Sequence, residues 1–194
     1  MPVKNLWQNL SSAESIVLYW SRPDEYQSSY TYRVQTNVTS PSSWIRDTIV
    51  TNESATIVNL TPGETYTFLI YTRASDNVTE SDPVSLTTCT VAGLAALIAV
   101  NSNKSVDSLV VNWTISSGKA SYYNVTITGD VNHTIQTGDT QVTFIGLSPG
   151  REYNVTVQTV SGNCSDTSPP VTEATCEYGH VIHSSSDYSN TKLW

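Results

Sequence analysis

The sequence predicts an all-β chain of two tandem seven-stranded sandwiches, and three observations carry that prediction. First, a corner phrase is written twice. Leu60-Thr61-Pro62-Gly63-Glu64-Thr65-Tyr66 returns 87 residues later as Leu147-Ser148-Pro149-Gly150-Arg151-Glu152-Tyr153. A Leu ends one strand, Pro-Gly turns the chain and a Tyr starts the next strand. This is the form of a tyrosine corner, where the ring joins the core and the hydroxyl bonds back to the corner backbone. Second, short runs alternate apolar and polar residues with period two, and no run has the helical period. Third, each copy sets a Trp early (Trp20, Trp113) and its corner Tyr late (Tyr66, Tyr153).

In the first copy, strand-like sequence follows Met1-Pro2-Val3-Lys4-Asn5, which does not read as a secretory leader. Ser15 to Trp20 alternates and is broken by Arg22-Pro23-Asp24. Tyr30 to Val34 alternates again, with Tyr32 and Val34 facing inward. Trp44 to Val50 and Ala55 to Leu60 lead into the corner, and Tyr66 to Tyr71 leaves it. A polar loop, Ser75 to Pro83, precedes the last strand, Val84 to Thr90. The second copy repeats the order with Leu94 to Val100, Ser108 to Trp113, Tyr123 to Val125, Val142 to Leu147 and Tyr153 to Val157. A loop from Ser161 to Pro169 then precedes Val171 to Cys176. The expected domains are residues 1–90 and 91–176, followed by a flexible tail or truncated linker at 177–194.

Composition narrows the function. Ser and Thr make up 54 of 194 residues, and Tyr (11) far exceeds Phe (2), a polar-surfaced β composition. The net charge of −8 is spread along the chain, with no basic patch to follow phosphates, which argues against nucleic-acid partners. The longest apolar run, Val91 to Val100, is half of the roughly 20 residues that a membrane-spanning helix needs.

Trp20, Tyr32-x-Val34 and Leu60-x-Pro62-Gly63-x-x-Tyr66, with Trp113, Tyr123-x-Val125 and Leu147-x-Pro149-Gly150-x-x-Tyr153, resemble tandem fibronectin type III domains over about residues 1–176. The resemblance implies an immunoglobulin-like sandwich whose core holds Trp20, Tyr32, Leu60, Tyr66, Trp113, Tyr123, Leu147 and Tyr153. The Cys pair of true immunoglobulin domains, on the Trp-adjacent strand and its partner, is absent. Val58-Asn59-Leu60-Thr61-Pro62-Gly63, Leu147-Ser148-Pro149-Gly150, Thr159 to Asn163 and the Cys-ended last strands are similar to ectodomain repeats of receptor-type tyrosine phosphatases of the beta and eta type. That likeness implies an extracellular or cell-surface module whose partners are a protein ligand or neighbouring fibronectin domains. Any phosphatase would lie in the parent protein outside this chain. An adhesion protein with no enzyme domain is the alternative.

Eleven Asn-x-Ser/Thr sequons occur, at Asn9, Asn37, Asn52, Asn59, Asn77, Asn103, Asn112, Asn124, Asn132, Asn154 and Asn163. With 14 Asn and this Ser/Thr fraction, chance supplies about four. The excess points to a chain that meets the glycosylation machinery. Asn112, Asn124 and Asn154 each neighbour an inward aromatic or aliphatic residue, so strand alternation turns them outward. Asn124, Asn132 and Asn154 are expected on one sheet face, and Asn77 and Asn163 in the two loops before the last strands. The expected result is a shielded spacer, with binding left to the first domain's Arg22-Pro23-Asp24-Glu25-Tyr26 loop or its sheet faces.

Cys89 and Cys176 lie 23 residues after their corner Tyr and read as equivalent positions, with Cys164 as the extra thiol. A Cys164–Cys176 bridge would have to span the length of a strand. In a type III sandwich the last loop lies at the pole where the chain enters, so the resemblance implies a Cys89–Cys164 tie between domains. Three free or variably paired thiols is the other reading. By the same logic Cys176 awaits a third domain.

No nucleophile with a base and orienter, Gly-rich phosphate loop or metal-spaced cluster is present, so no catalytic, cofactor or metal residue is expected. His180 and His183 in the tail lack a nearby third ligand.

Overall fold

The computed structural model describes residues 1–39, 42–115 and 117–178. The first sandwich contains β1 (Lys4–Ser11), β2 (Ser15–Ser21), β3 (Thr31–Thr39), β4 (Ser42–Val50), β5 (Ser54–Val58), β6 (Thr65–Arg73) and β7 (Val84–Cys89). Its sheets run β1-β2-β5 and β4-β3-β6-β7, with every pairing antiparallel. The second contains β8 (Ala95–Asn101), β9 (Ser108–Ile115), β10 (Tyr122–Thr128), β11 (His133–Thr137), β12 (Gln141–Ile145), β13 (Glu152–Ser161), β14 (Cys164–Thr167) and β15 (Val171–Ala174). Its sheets are β8-β9-β12 and β11-β10-β13, and both β14 and β15 pair with β13.

Alternation builds both cores. Ile16, Leu18 and Trp20 of β2, Tyr32 and Val34 of β3, Ile57 of β5 and Tyr66, Phe68 and Ile70 of β6 all point inward. The second core repeats this with Leu109, Val111, Trp113, Tyr123, Val125, Ile127, Tyr153, Val155 and Val157. Each early Trp meets its neighbouring Tyr edge to face: Trp20 on Tyr32 at 5.4 Å and Trp113 on Tyr123 at 5.3 Å between centroids. Such pairs contribute about 0.5–1.5 kcal/mol beyond their burial. Burial also pushes the hydroxyl of Tyr32 up to about 12, with the charge of Glu53 adding to it, and raises that of Tyr123.

Two strands depart from the sequence reading. The stretch read as a loop, Ser161 to Pro169, contains β14, which forms a tight hairpin with β13 by pairing Cys164 with Ser161. Its residues, Cys-Ser-Asp-Thr, carry no apolar alternation; backbone pairing to β13 makes the strand. Pro169 and Pro170 then interrupt the ladder before β15, since neither can donate to it. β11 has one aliphatic residue, Ile135, and so gives little period-two signal.

Candidate functional site

Each corner Tyr is held by its own turn. The Thr61 N–H donates to the Tyr66 hydroxyl at 2.8 Å, and the Ser148 N–H donates to the Tyr153 hydroxyl at 2.9 Å. Gly63 and Gly150 occupy the left-handed region at φ 67° and 64°, which glycine adopts without steric cost. The hydroxyls of Thr90 and Thr175 close the corners by donating to the Thr61 and Ser148 carbonyls, both at 2.6 Å.

The two corners differ in what lies beyond them. The first is locked against the second sandwich. The Lys119 N–H donates to the Pro62 carbonyl at 2.9 Å, and the buried Ser161 hydroxyl donates to the Gly63 carbonyl at 2.7 Å. The Lys119 ammonium sits 2.6 Å from the Glu64 carboxylate. A Cβ on Gly63 would lie 2.5 Å from the Lys119 carbonyl, and one on Gly118 would collide with Pro62. Backbone therefore meets backbone across this joint. A few residues away a disulfide joins Cys89, at the end of β7, to Cys164, at the start of β14, with Cα atoms 6.2 Å apart. Thr65, Thr87, Thr88 and Cys89 face Gly162, Asn163 and Cys164 across a cleft of about 420 Å³.

The sequence equivalence of Cys89 and Cys176 is corrected by register. Cys89 pairs with Thr65, whereas the residue pairing with the corresponding Glu152 is Ala174. The counterpart of Cys176 is Val91: their carbonyls accept from Gly150 and Gly63 at 3.1 and 3.0 Å, and their N–H groups donate to Ser105 and Ser12. The expectation of a third domain for Cys176, drawn from that equivalence, loses its basis. Cys176 is half-buried and unbridged, with its sulfur 3.6 Å from the Ser102 hydroxyl. Cys164 pairs with Ser161 and Ala174, two residues before Cys176, pairs with Glu152, so the two thiols lie toward opposite ends of β13, with nine residues or roughly 30 Å of strand between those pairing points.

The joint uses particular loops. In the second sandwich Gly118 and Lys119 lie between β9 and β10, and Gly162 and Asn163 between β13 and β14. The matching loops of the first sandwich, Arg22 to Tyr30 and Ala74 to Pro83, stand at its far pole and make none of these joint contacts. There the Arg22 guanidinium reaches Glu53 at 2.6 Å and lies 4.3 Å over the Tyr26 ring, which meets Tyr30 edge to face. The hydrogen bond from Arg22 holds the Glu53 carboxyl below its ordinary value. Lys4 pairs with Asp24 at 2.5 Å, and Glu25 takes φ 56°. In the other loop Asp76 accepts from the Val78 and Thr79 N–H groups, both at 2.9 Å, and from the Thr79 hydroxyl at 2.6 Å.

The first domain's sheet faces are also distinct. On β1-β2-β5 the half-exposed Trp7 stacks on Tyr19 at 5.8 Å. On β4-β3-β6-β7 Arg33 pairs with Glu80 and Asp47 and lies 4.1 Å over the Tyr71 ring.

No sequon Asn is buried. Asn9, Asn52, Asn59, Asn77, Asn103, Asn132, Asn154 and Asn163 are exposed, while Asn37, Asn112 and Asn124 are half-buried. Asn124 and Asn154 share a sheet face, because Asn124 pairs with Gln158 and Asn154 with Thr128. Asn124 donates to Gln158 at 2.9 Å, and Asn112 and Asn154 accept from Gln141 and Thr172. Asn132 comes just before β11 and is among the residues lining a cleft with Phe144 and Ile145. Asn59, Asn77 and Asn103 take positive φ, so each also serves its turn as a residue that tolerates the left-handed region.

Among the described residues no group of three or more His, Cys, Asp or Glu could hold a metal ion, and no helix is long and apolar enough to cross a membrane. His180 and His183, and the tail from 179 onward, lie outside the described residues.

The fibronectin type III domain model matches residues 2–87 and 97–174. The chain is 30% identical over 168 residues to chicken (Gallus gallus) receptor-type tyrosine-protein phosphatase eta, covering 84% of this chain and 11% of that protein. It is 29% identical over 165 residues to human (Homo sapiens) receptor-type tyrosine-protein phosphatase H, covering 80% and 14%. This chain thus spans about a tenth to a seventh of the length of these relatives. Among solved structures, a two-domain fibronectin type III segment of chicken tenascin superposes with a TM-score of 0.66 at 21% identity. That match covers 88% of this chain and 97% of the segment, and speaks for the fold alone.

Proposed function

The chain belongs to the fibronectin type III family, and on that premise we propose that it is an extracellular, N-glycosylated, non-catalytic spacer with one recognition pole. The two sandwiches act as one stiff unit in the ectodomain of a multi-fibronectin cell-surface receptor of the phosphatase kind. The observation that carries this reading is the asymmetric use of equivalent loops. The second sandwich commits its β9–β10 and β13–β14 loops to the joint with the first, through Lys119, Ser161 and Cys164. The same pole of the first sandwich takes no part in that joint, and its Arg22–Tyr26 loop is ordered by its own ion pairs and ring contacts. Of the matching loops in these two sandwiches, that leaves the Arg22–Tyr26 loop as the one offered to a protein ligand.

The sequon positions support the shielding half of the reading, since none is buried and Asn124 and Asn154 mark one face of the second sandwich. Glycopeptide and non-reducing peptide maps of the chain secreted from eukaryotic cells test both halves. The expected maps show glycans on Asn77 and Asn163, a Cys89–Cys164 linked peptide and a free Cys176. Unmodified Asn77 and Asn163 contradict the shield, and a Cys164–Cys176 peptide contradicts the fixed pair.

A further inference from the structure

The open side of the second sandwich lies between two edge strands, β11 of one sheet and β12 of the other. Edge strands are ordinarily protected by charge, proline or a bulge. Here β11 reads His-Thr-Ile-Gln-Thr and β12 reads Gln-Val-Thr-Phe-Ile, with no Lys, Arg, Asp, Glu or Pro in either. The corresponding β4 of the first sandwich carries Arg46 and Asp47. Between β11 and β12 runs a cleft of about 270 Å³ with Phe144 and Leu147 at its floor and Val131, His133 and Ile145 at its rim. Ile145 is 79% exposed, an unusual position for an aliphatic side chain on a strand. Asn132, the acceptor of the sequon Asn132-His133-Thr134, lines the same cleft.

We propose that the first N-acetylglucosamine of a glycan on Asn132 seats in this cleft, its apolar ring face on Ile145 and Val131, and caps the unprotected edge. The cleft is just below the ~300 Å³ at which small-molecule sites begin, which suits one sugar ring and no larger ligand. The sugar is covalently delivered, so it does not bear the orientational cost that a free ligand bears on binding. The proposal rests on the glycosylated reading given above and adds a structural task to one site of it.

The test uses the full chain secreted from eukaryotic cells, with Asn132 occupancy first measured by glycopeptide mapping. Three forms are compared: intact glycans, all glycans trimmed by an endoglycosidase to single N-acetylglucosamines, and the Asn132→Gln variant. The trimmed form is expected to match the intact one. Asn132→Gln is expected to melt about 4 °C lower, to bind an apolar-surface dye more strongly, and to self-associate through the bared edge. Asn52→Gln, at an exposed sequon of the first sandwich, is expected to do none of these. In an Ile145→Thr background the penalty of Asn132→Gln should shrink, since the apolar contact is already gone. An occupied Asn132 whose loss changes neither melting nor dye binding overturns the cap and leaves the shield standing. An Asn132 found unmodified while other sequons carry glycans also overturns the cap alone. No glycan at any sequon overturns both readings. A dimer seen with glycans intact and abolished by a charged residue at Ile145 overturns the cap by making a second copy the occupant.

Discussion

Gly63 and Gly150 are the same residue in the same turn, with φ within a few degrees of each other, yet they do different work. A Cβ on Gly150 would meet only the flexible side chain of Glu177, whereas one on Gly63 would press on the Lys119 carbonyl and on Ser161. Gly150→Ala should therefore cost the left-handed backbone penalty, roughly 1–2 kcal/mol. Gly63→Ala should cost that plus an overpacking penalty of about 1–3 kcal/mol, because backbone cannot swing aside. Chemical denaturation of the two variants checks this, and equal losses would contradict a packed joint. The corner was legible from Leu-x-Pro-Gly-x-x-Tyr alone. Its role at the joint was not, because Lys119 and Ser161 are far from it in sequence and carry no motif. Counting residues from the corner Tyr also misplaced Cys176: the second sandwich reaches its corner-closing Thr175 two residues sooner than the first reaches Thr90. Hydrogen-bond register reveals that difference; sequence spacing hides it.

At the scale of elements, strands with an apolar face were readable and those held by backbone pairing were not. β2, β6 and β9 alternate, as does β13 as far as Gln158, while β11 and β14 owe their existence to β10 and β13. The turn between β6 and β7 offers a local test. The Asp76 carboxyl is held down to about 2, chiefly by the Thr79 hydroxyl, then by the N–H groups of Thr79 and Val78. In the unfolded chain it titrates at its ordinary value near 4. The turn is therefore fully supported above that value and loses its support as pH falls through about 2. The amide resonances of Val78 and Thr79 should shift with a midpoint near 2 in an NMR titration. A midpoint at the ordinary Asp value would mean that the turn does not hold the carboxylate. Asn77 rides on this turn, so its left-handed backbone should relax in the same pH range.

For the whole molecule, the central claim is that two sandwiches with separate cores behave as one body. Each core is complete in itself, with its own Trp, its own corner and no shared apolar residue. The Cys89–Cys164 tie should accordingly fix orientation more than it stabilises either fold, although a closed loop of this length is worth several kcal/mol in a single cooperative domain. Residual dipolar couplings of the oxidised, secreted chain test the claim most directly. The account predicts that amides of both sandwiches fit one alignment tensor, and that Cys89→Ser combined with Gly63→Ala splits it into two while both sets of couplings still report folded domains. Two independent tensors in the unaltered, disulfide-bonded chain would contradict it.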